Sequence, residues 1–287
     1  MVNDDSPDAK EAAELGEGHI DWVADRVMTA LDTCRSIAPL SEARPAFDLA
    51  EGYRVASALA VKRIARGERP VGWKIGFTNR TIWREYGVFA PIWGPIYAAT
   101  VQEVAAGAVA ECPLYSFVEP RLEPEIAFRF AVAPRPGMSE AALLACIDAV
   151  AHGFEVVQSI FPGWRFTAAD TVAAGALHGA YYHGPWTEIE QQDRAAWLSR
   201  LSSFEIALSC NGELIDRGHA ANVLDGPLSA LRHFVDGIAE QPALRGVEAG
   251  DIVTTGTVTR AFAVAPGETW STQLSGLPLP GLAIAFR

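Results

Sequence analysis

The run Val118-Glu119-Pro120-Arg121-Leu122-Glu123-Pro124-Glu125-Ile126-Ala127-Phe128-Arg129-Phe130 decides the reading of this chain. From Ile126 onward the large apolar residues fall at every second position, the period of a half-buried strand. Glu123, Glu125 and Ala127 then share the opposite face. Side chains at i and i+2 on a strand stand roughly 6.6 to 7 Å apart at their Cα atoms, so both carboxylates can converge on one ion. Two anions side by side in an apolar strand repel each other unless a cation lies between them. The pattern therefore points to a divalent metal.

A third carboxylate follows in Ala149-Val150-Ala151-His152-Gly153-Phe154-Glu155-Val156-Val157, an apolar run in which an isolated charge is costly to bury. Three carboxylates form an all-oxygen ligand set that suits Mg²⁺ or Mn²⁺ and disfavours Zn²⁺. Upstream, Val71-Gly72-Trp73-Lys74-Ile75-Gly76-Phe77 alternates again, with Lys74 on the face opposite Trp73, Ile75 and Phe77. A lysine desolvated beside a metal can lose pKa and move protons. His178 and His152 are further acid/base candidates. Asp170 is a helix cap or a group that positions a ligand.

The whole chain sets the bounds. At 287 residues it is long enough for one large domain, and its net charge of −12 comes with no Lys/Arg cluster. That balance speaks against nucleic acid and against anionic membranes as partners. Residues 1–18 read as a flexible acidic leader, because the first 17 hold six acids against Lys10 and few large apolar side chains. Residues 19–287 read as a single catalytic domain. Cys34, Cys112, Cys146 and Cys210 are far apart, no signal peptide or long apolar run is present, and a cytoplasmic location is expected.

Helical spacing of Ile20, Val23, Val27 and Leu31, and of Leu49, Tyr53, Ala56 and Leu59, predicts two N-terminal helices, the second ended by Gly67. Ser139 to Val150 and Pro227 to Ala239 are expected to be helices, and Gly87 to Tyr97 a loop. Asn211-Gly212 is a type I′ hairpin signal. The C-terminal third reads as strands over Asp251–Thr257, Arg260–Val264, Thr269–Leu274 and Leu282–Phe286. The expected class is α+β, with a rolled sheet and the first helices packed outside.

Six segments in order resemble one family: Gly72-Trp73-Lys74-Ile75-Gly76-Phe77-Thr78, Gly87-Val88, Glu123-Pro124-Glu125-Ile126-Ala127-Phe128, Glu155-Val156-Val157, Asp170-Thr171-Val172-Ala173 and Gly250-Asp251-Ile252-Val253-Thr254-Thr255-Gly256-Thr257. They are similar to the 2-hydroxypentadienoate hydratase and 4-oxalocrotonate decarboxylase group of the fumarylacetoacetate hydrolase superfamily. The resemblance implies a mixed β-roll, a Mg²⁺ or Mn²⁺ site, a homo-oligomer and a small 2-oxo or 2-hydroxy dienoic acid substrate from aromatic catabolism. It puts the metal carboxylates on Glu123, Glu125 and Glu155 and the active-site lysine on Lys74. His178 and Asp170 are carried as further catalytic candidates, and Thr257 and Trp93 as substrate-binding candidates.

The chain departs from that pattern in two places. Phe89-Ala90-Pro91-Ile92-Trp93 stands where the group carries acidic residues after Gly-Val, and Ala174-Gly175-Ala176-Leu177-His178 replaces a polar Asp-Asn and Ser segment. The expected function is a hydratase-type lyase working through a metal-stabilised enolate, in an unusually apolar pocket. The alternatives are a C–C hydrolase of an acylpyruvate, a decarboxylase of the 4-oxalocrotonate type, and a non-catalytic homologue that kept the metal site.

Overall fold

The computed structural model describes residues 18–241 and 244–287, so the expected leader lies almost wholly outside the described residues. Helix α1 (His19–Asp32) buries Val23, Ala24, Val27 and Ala30 along one face, and α3 (Leu49–Ala65) buries Tyr53, Val55, Ala56 and Leu59. Asp48 caps α3 by accepting from the Glu51 amide, and Gly67, at φ +97°, ends it. A one-turn helix α2 (Leu40–Ala43) joins the two. The α3 helix crosses α6 (Ala168–Ala173) closely at Gly52, where a Cβ would stand 2.7 Å from the Ala169 carbonyl oxygen.

The strands are β1 (Pro70–Gly76), β2 (Ile92–Tyr97), β3 (Val101–Glu103), β4 (Val109–Cys112), β5 (Arg121–Phe130), β6 (Ile147–Val157) and β7 (His178–His183). They continue with β8 (Thr187–Glu188), β9 (Glu205–Cys210), β10 (Glu213–His219), β11 (Ile252–Thr254), β12 (Phe262–Ala263), β13 (Thr269–Ser275) and β14 (Ala283–Phe286). One mixed sheet runs β2-β1-β11-β5-β6-β7-β3, with β12 paired to β5 and β8 to β6. A second runs β10-β9-β13-β14-β4. Leu122, Phe154, Val156 and Tyr182 of the first sheet meet Leu208, Trp270, Ile284 and Phe286 of the second in one apolar cluster. The α+β class and the mixed, rolled sheet with α1 and α3 outside it are as expected.

The remaining helices are α4 (Trp83–Tyr86), α5 (Glu140–Ala145), α7 (Arg194–Leu201) and α8 (Pro227–Ile238). Phe234 of α8 packs on Trp73 and Trp93 with ring centroids 5.9 and 5.7 Å away. The β9–β10 turn has Asn211 and Gly212 at φ +50° and +85°, as the hairpin signal requires.

Two expected elements change. The helix expected over Ser139–Val150 stops at Ala145, and Ile147 starts β6, which pairs with β5 from Phe130 back to Arg121. A short apolar run is ambiguous by periodicity alone, and the long partner strand decides it. The loop expected over Gly87–Tyr97 contains β2. Its Gly94 and Pro95 resemble breakers, but β2 lies at the sheet edge, where proline is tolerated.

Candidate metal centre

The sheet register builds the site. Glu123 on β5 is the antiparallel partner of Glu155 on β6, and Glu125 faces Gly153. Lys74 on β1 pairs with Thr254 on β11, which pairs with Ala127 on β5, so Lys74 reaches the face that carries Glu123 and Glu125. One carboxylate oxygen from each of Glu123, Glu125 and Glu155 lies within 4.8 Å of the others. Glu125 and Glu155 have no solvent exposure at all.

Each buried carboxylate is held in place. Glu155 Oε1 faces His178 Nδ1 at 2.8 Å and its Oε2 faces Lys74 Nζ at 3.1 Å. Glu125 Oε2 accepts the Gly256 amide at 3.0 Å. Among the described residues the only charged partner of Glu155 Oε2 is the Lys74 ammonium, and Glu125 Oε1 has no well-aligned hydrogen bond, the nearest side-chain donor to that carboxylate being the Thr254 hydroxyl. Orphaned buried carboxylate oxygens are costly, and three hard oxygen donors around one point suit a hard divalent cation. The residues present therefore fit a metal.

The electrostatics agree. Burial, only partly offset by Lys74, pushes the Glu123 carboxyl up to about 7. Burial, followed by Glu155 and Glu123, holds Glu125 well above the usual carboxylate range. Glu155 goes the other way: burial opposes its charge, but Lys74 and His178 together keep it below the ordinary value. Without a cation, the site sheds negative charge by taking up protons. Lys74 does not lose pKa here. Burial works against its charge, but Glu155, Glu123 and Glu125 outweigh it and raise the value.

Lys74 Nζ also donates to the Ala176 carbonyl at 3.1 Å. That carbonyl sits in a turn where Gly175, Ala176 and Leu177 all have positive φ, at +69°, +55° and +64°. Two consecutive non-glycine residues in the left-handed region store backbone strain of the kind found at functional sites.

A pocket opens over Lys74 and Glu123, walled by Phe77, Ile92, Val157, Trp164, Phe166 and Leu177. Thr257, one of the two expected substrate-binding residues, is among the residues that line it. Phe77, expected on the face opposite Lys74, both packs against the core cluster of Trp73 and Ile75 and reaches the pocket, because β1 ends at Gly76 and Phe77 takes φ +53°. Trp93 is not among the pocket-lining residues. It is buried against Tyr53 and Phe234 on the other side of β2, and its neighbour Ile92 faces the pocket instead.

His178 stands behind Glu155. Burial lowers its pKa, and its ring bridges two groups, Nδ1 lying 2.8 Å from Glu155 Oε1 and Nε2 2.8 Å from the Thr100 hydroxyl, which itself donates to the Tyr97 carbonyl. It faces a separate cavity beside Thr100 and Gln158. His152 projects from the opposite face of β6, between the Glu125 carbonyl and Thr272, and burial lowers it to about 4. Asp170 is fully buried and lies outside the pocket lining. Its carboxylate accepts from the Ser41 amide and hydroxyl and from the Thr167 amide and hydroxyl, tying α6 to α2.

Sequence reasoning missed Arg121, Trp164 and the Ala176 carbonyl. Arg121 lies two residues before Glu123 on the same strand face and lines the pocket mouth, its guanidinium 4.0 Å from the Trp164 ring centroid. That i−2 spacing was the available signal. Nothing local announces Trp164 or the strained turn, whose places depend on tertiary packing. Tyr181 was also missed: it is wholly buried beside Glu125 and Glu155, and burial, then those two anions, raises its pKa well above the ordinary phenol value.

Comparison with known proteins follows the same lines. Residues 95–279 match the model for the fumarylacetoacetate hydrolase C-terminal family. A 2-keto-4-pentenoate hydratase from Paraburkholderia phymatum is 31% identical over 267 residues, spanning 91% of this chain and 95% of that protein. A 4-oxalocrotonate decarboxylase from a Pseudomonas species is 29% identical over 217 residues, spanning 76% and 79%. The solved structure of 4-oxalocrotonate decarboxylase from Pseudomonas putida G7, complexed with magnesium and adipate, superposes with a TM-score of 0.84 at 25% identity, covering 94% of this chain and 98% of that one.

Proposed function

The chain belongs to the fumarylacetoacetate hydrolase family, and from that premise we propose that it is a divalent-metal-dependent lyase of the 2-keto-4-pentenoate hydratase type. Its substrate in this reading is a short 2-hydroxy or 2-oxo dienoic acid. The observation that carries the proposal is the meeting of Glu123, Glu125 and Glu155 with Lys74 at the buried floor of an apolar pocket. The three carboxylates would hold Mg²⁺ or Mn²⁺, which when bound supplies charge stabilisation to an enolate.

The other parts of the site set the proton chemistry. The Lys74 ammonium has three N–H groups. Glu155 and the Ala176 carbonyl face two of them, leaving the third for the pocket that Lys74 lines. Lys74 can therefore give a proton to a dienol carbon as the 2-hydroxyl gives up its own, that hydroxyl proton restoring the ammonium, which is the ketonisation half of the reaction. His178 fixes the Glu155 carboxylate from behind, and the Gly256 amide fixes Glu125. Phe77, Ile92, Val157 and Leu177 keep bulk water from the reacting carbons, strengthening each charge interaction inside. Arg121 at the mouth supplies a cation for the entry of an anionic acid.

The water-poor wall also favours a second reading, decarboxylation, in which the same enolate forms as CO₂ leaves and no water need be activated. Hydrolysis of an acylpyruvate has less support. Both histidines that would activate water lie off the pocket, His178 behind Glu155 and His152 on the other face of the strand. The test is to incubate the purified protein and Mg²⁺ separately with a 2-hydroxydienoate, 4-oxalocrotonate and an acylpyruvate, following ultraviolet absorbance and CO₂ release. Loss of dienoate without CO₂ supports the hydratase type, and CO₂ from oxalocrotonate supports the decarboxylase. Turnover of the acylpyruvate alone, or of nothing, overturns the proposal.

A further inference from the structure

We propose that Tyr181 is a positioning residue of the metal centre, its phenolic O–H being the donor to Glu125 Oε1 when a cation is held by the three carboxylates. The inference rests on the metal-site reading above and adds a group that the resemblance did not supply.

Tyr181 on β7 is the register partner of Glu155, so its side chain leaves the sheet on the face that carries the carboxylates. The ring leans across β6 over Gly153. A Cβ at Gly153 would stand 2.4 Å from Tyr181 Oη, so the missing side chain is what lets the phenol lie there. Gly153 is in turn the partner of Glu125 on β5. The hydroxyl is thus delivered across one strand to the carboxylate on the next. Tyr181 is completely buried, and its Oη has no hydrogen-bond partner among the described residues. Glu125 Oε1, on the same face, has none either, since Gly256 serves only Oε2.

An unsatisfied buried hydroxyl and an unsatisfied buried carboxylate oxygen on one face of the sheet, near enough for the carboxylate to raise the phenol's pKa, are each costly alone and complementary together. Glu125 drawn toward a cation needs its free oxygen oriented, and groups that orient metal ligands commonly govern affinity. A rival donor is Thr254, whose buried hydroxyl already lies near the Glu125 carboxylate and helps hold its charge, though without a well-aligned hydrogen bond.

Tyr181→Phe keeps the ring over Gly153 and removes only the hydroxyl. Titration calorimetry with Mn²⁺ should show roughly tenfold or greater weakening in the variant, the range typical of such outer groups. The unfolding temperature of the metal-free variant should match or exceed that of the metal-free parent. The parent should also show a tyrosine ultraviolet difference signal on Mn²⁺ addition that is absent in Tyr181→Phe, a readout that needs no turnover. Equal Mn²⁺ affinity in parent and variant, or no difference signal in the parent, overturns the proposal while leaving the metal site intact. Weakening by Thr254→Val but not by Tyr181→Phe overturns it in favour of Thr254. A parent that binds no Mn²⁺ overturns this inference and the metal-site reading together.

Discussion

Glu123 and Glu155 face each other as register partners on the antiparallel strands β5 and β6, with Lys74 3.1 Å from the second carboxylate. Strand pairing, not a loop, brings these anions together, so their separation is set by the most rigid part of the fold. Two buried carboxylates, a half-buried third and one ammonium together carry a formal excess of negative charge. It must be relieved by protons or by a cation.

Glu123→Gln, Glu125→Gln and Glu155→Gln should each weaken Mg²⁺ binding at least tenfold, with little change in size and shape. The loss should be largest at Glu155, because its replacement also leaves Lys74 and His178 buried without their anion. Calorimetry on the three variants checks this. Parent-like affinity in all three would refute the ligand assignment.

Cation binding should be linked to pH. Glu123 has its pKa raised to about 7, so below that value it carries a proton that a cation must displace. Glu125, held well above its usual range, adds to the effect. Apparent Mg²⁺ affinity should therefore rise as pH increases from about 5.5 to 8, with proton release on binding that is visible as buffer-dependent heat. An affinity that is flat over this interval would contradict the charge state described for the site.

Lys74→Met, close in volume and uncharged, should abolish ketonisation of a 2-hydroxydienoate. It also removes the cation that faces Glu155, so a modest change in Mg²⁺ affinity is compatible with the account. A variant that ketonises the dienoate at the parent rate would make Lys74 a bystander. Stopped-flow ultraviolet absorbance distinguishes the two.

Trp93→Ala should act on stability more than on binding. Its indole is packed on Tyr53 and Phe234 and lies off the pocket, so truncation should cost about 3–5 kcal/mol, as for other buried aromatic residues. Chemical denaturation measures this. A stable variant with weakened substrate binding would return Trp93 to the substrate site.

Much of the site was legible because it sits on strands. Period-2 alternation placed Glu123 and Glu125 on one face, and Glu155 stood out as the single charge in an apolar segment. Both N-terminal helices followed from helical spacing and from the glycine after the second, and the fold class from short helices set among many strand patterns. Local pattern failed where pairing decided the outcome. Ile147–Val150 joined a strand because β5 was long enough to hold it, and Ile92–Tyr97 became an edge strand despite Gly94 and Pro95. The roles of side chains off the strands were harder still. His178 and Asp170 flank functional segments in the sequence, yet the first braces Glu155 from behind and the second ties α6 to α2. The place of Tyr181 depends on the missing side chain of Gly153 on the neighbouring strand, outside any local pattern.

The most direct test of the account is turnover of 2-hydroxypenta-2,4-dienoate by protein stripped of metal with a chelator and then titrated with Mg²⁺ or Mn²⁺. The account predicts no turnover in the stripped protein and saturable recovery with one cation per chain, lost in Glu155→Gln. Full turnover by the stripped protein, unchanged on adding either cation, would contradict it.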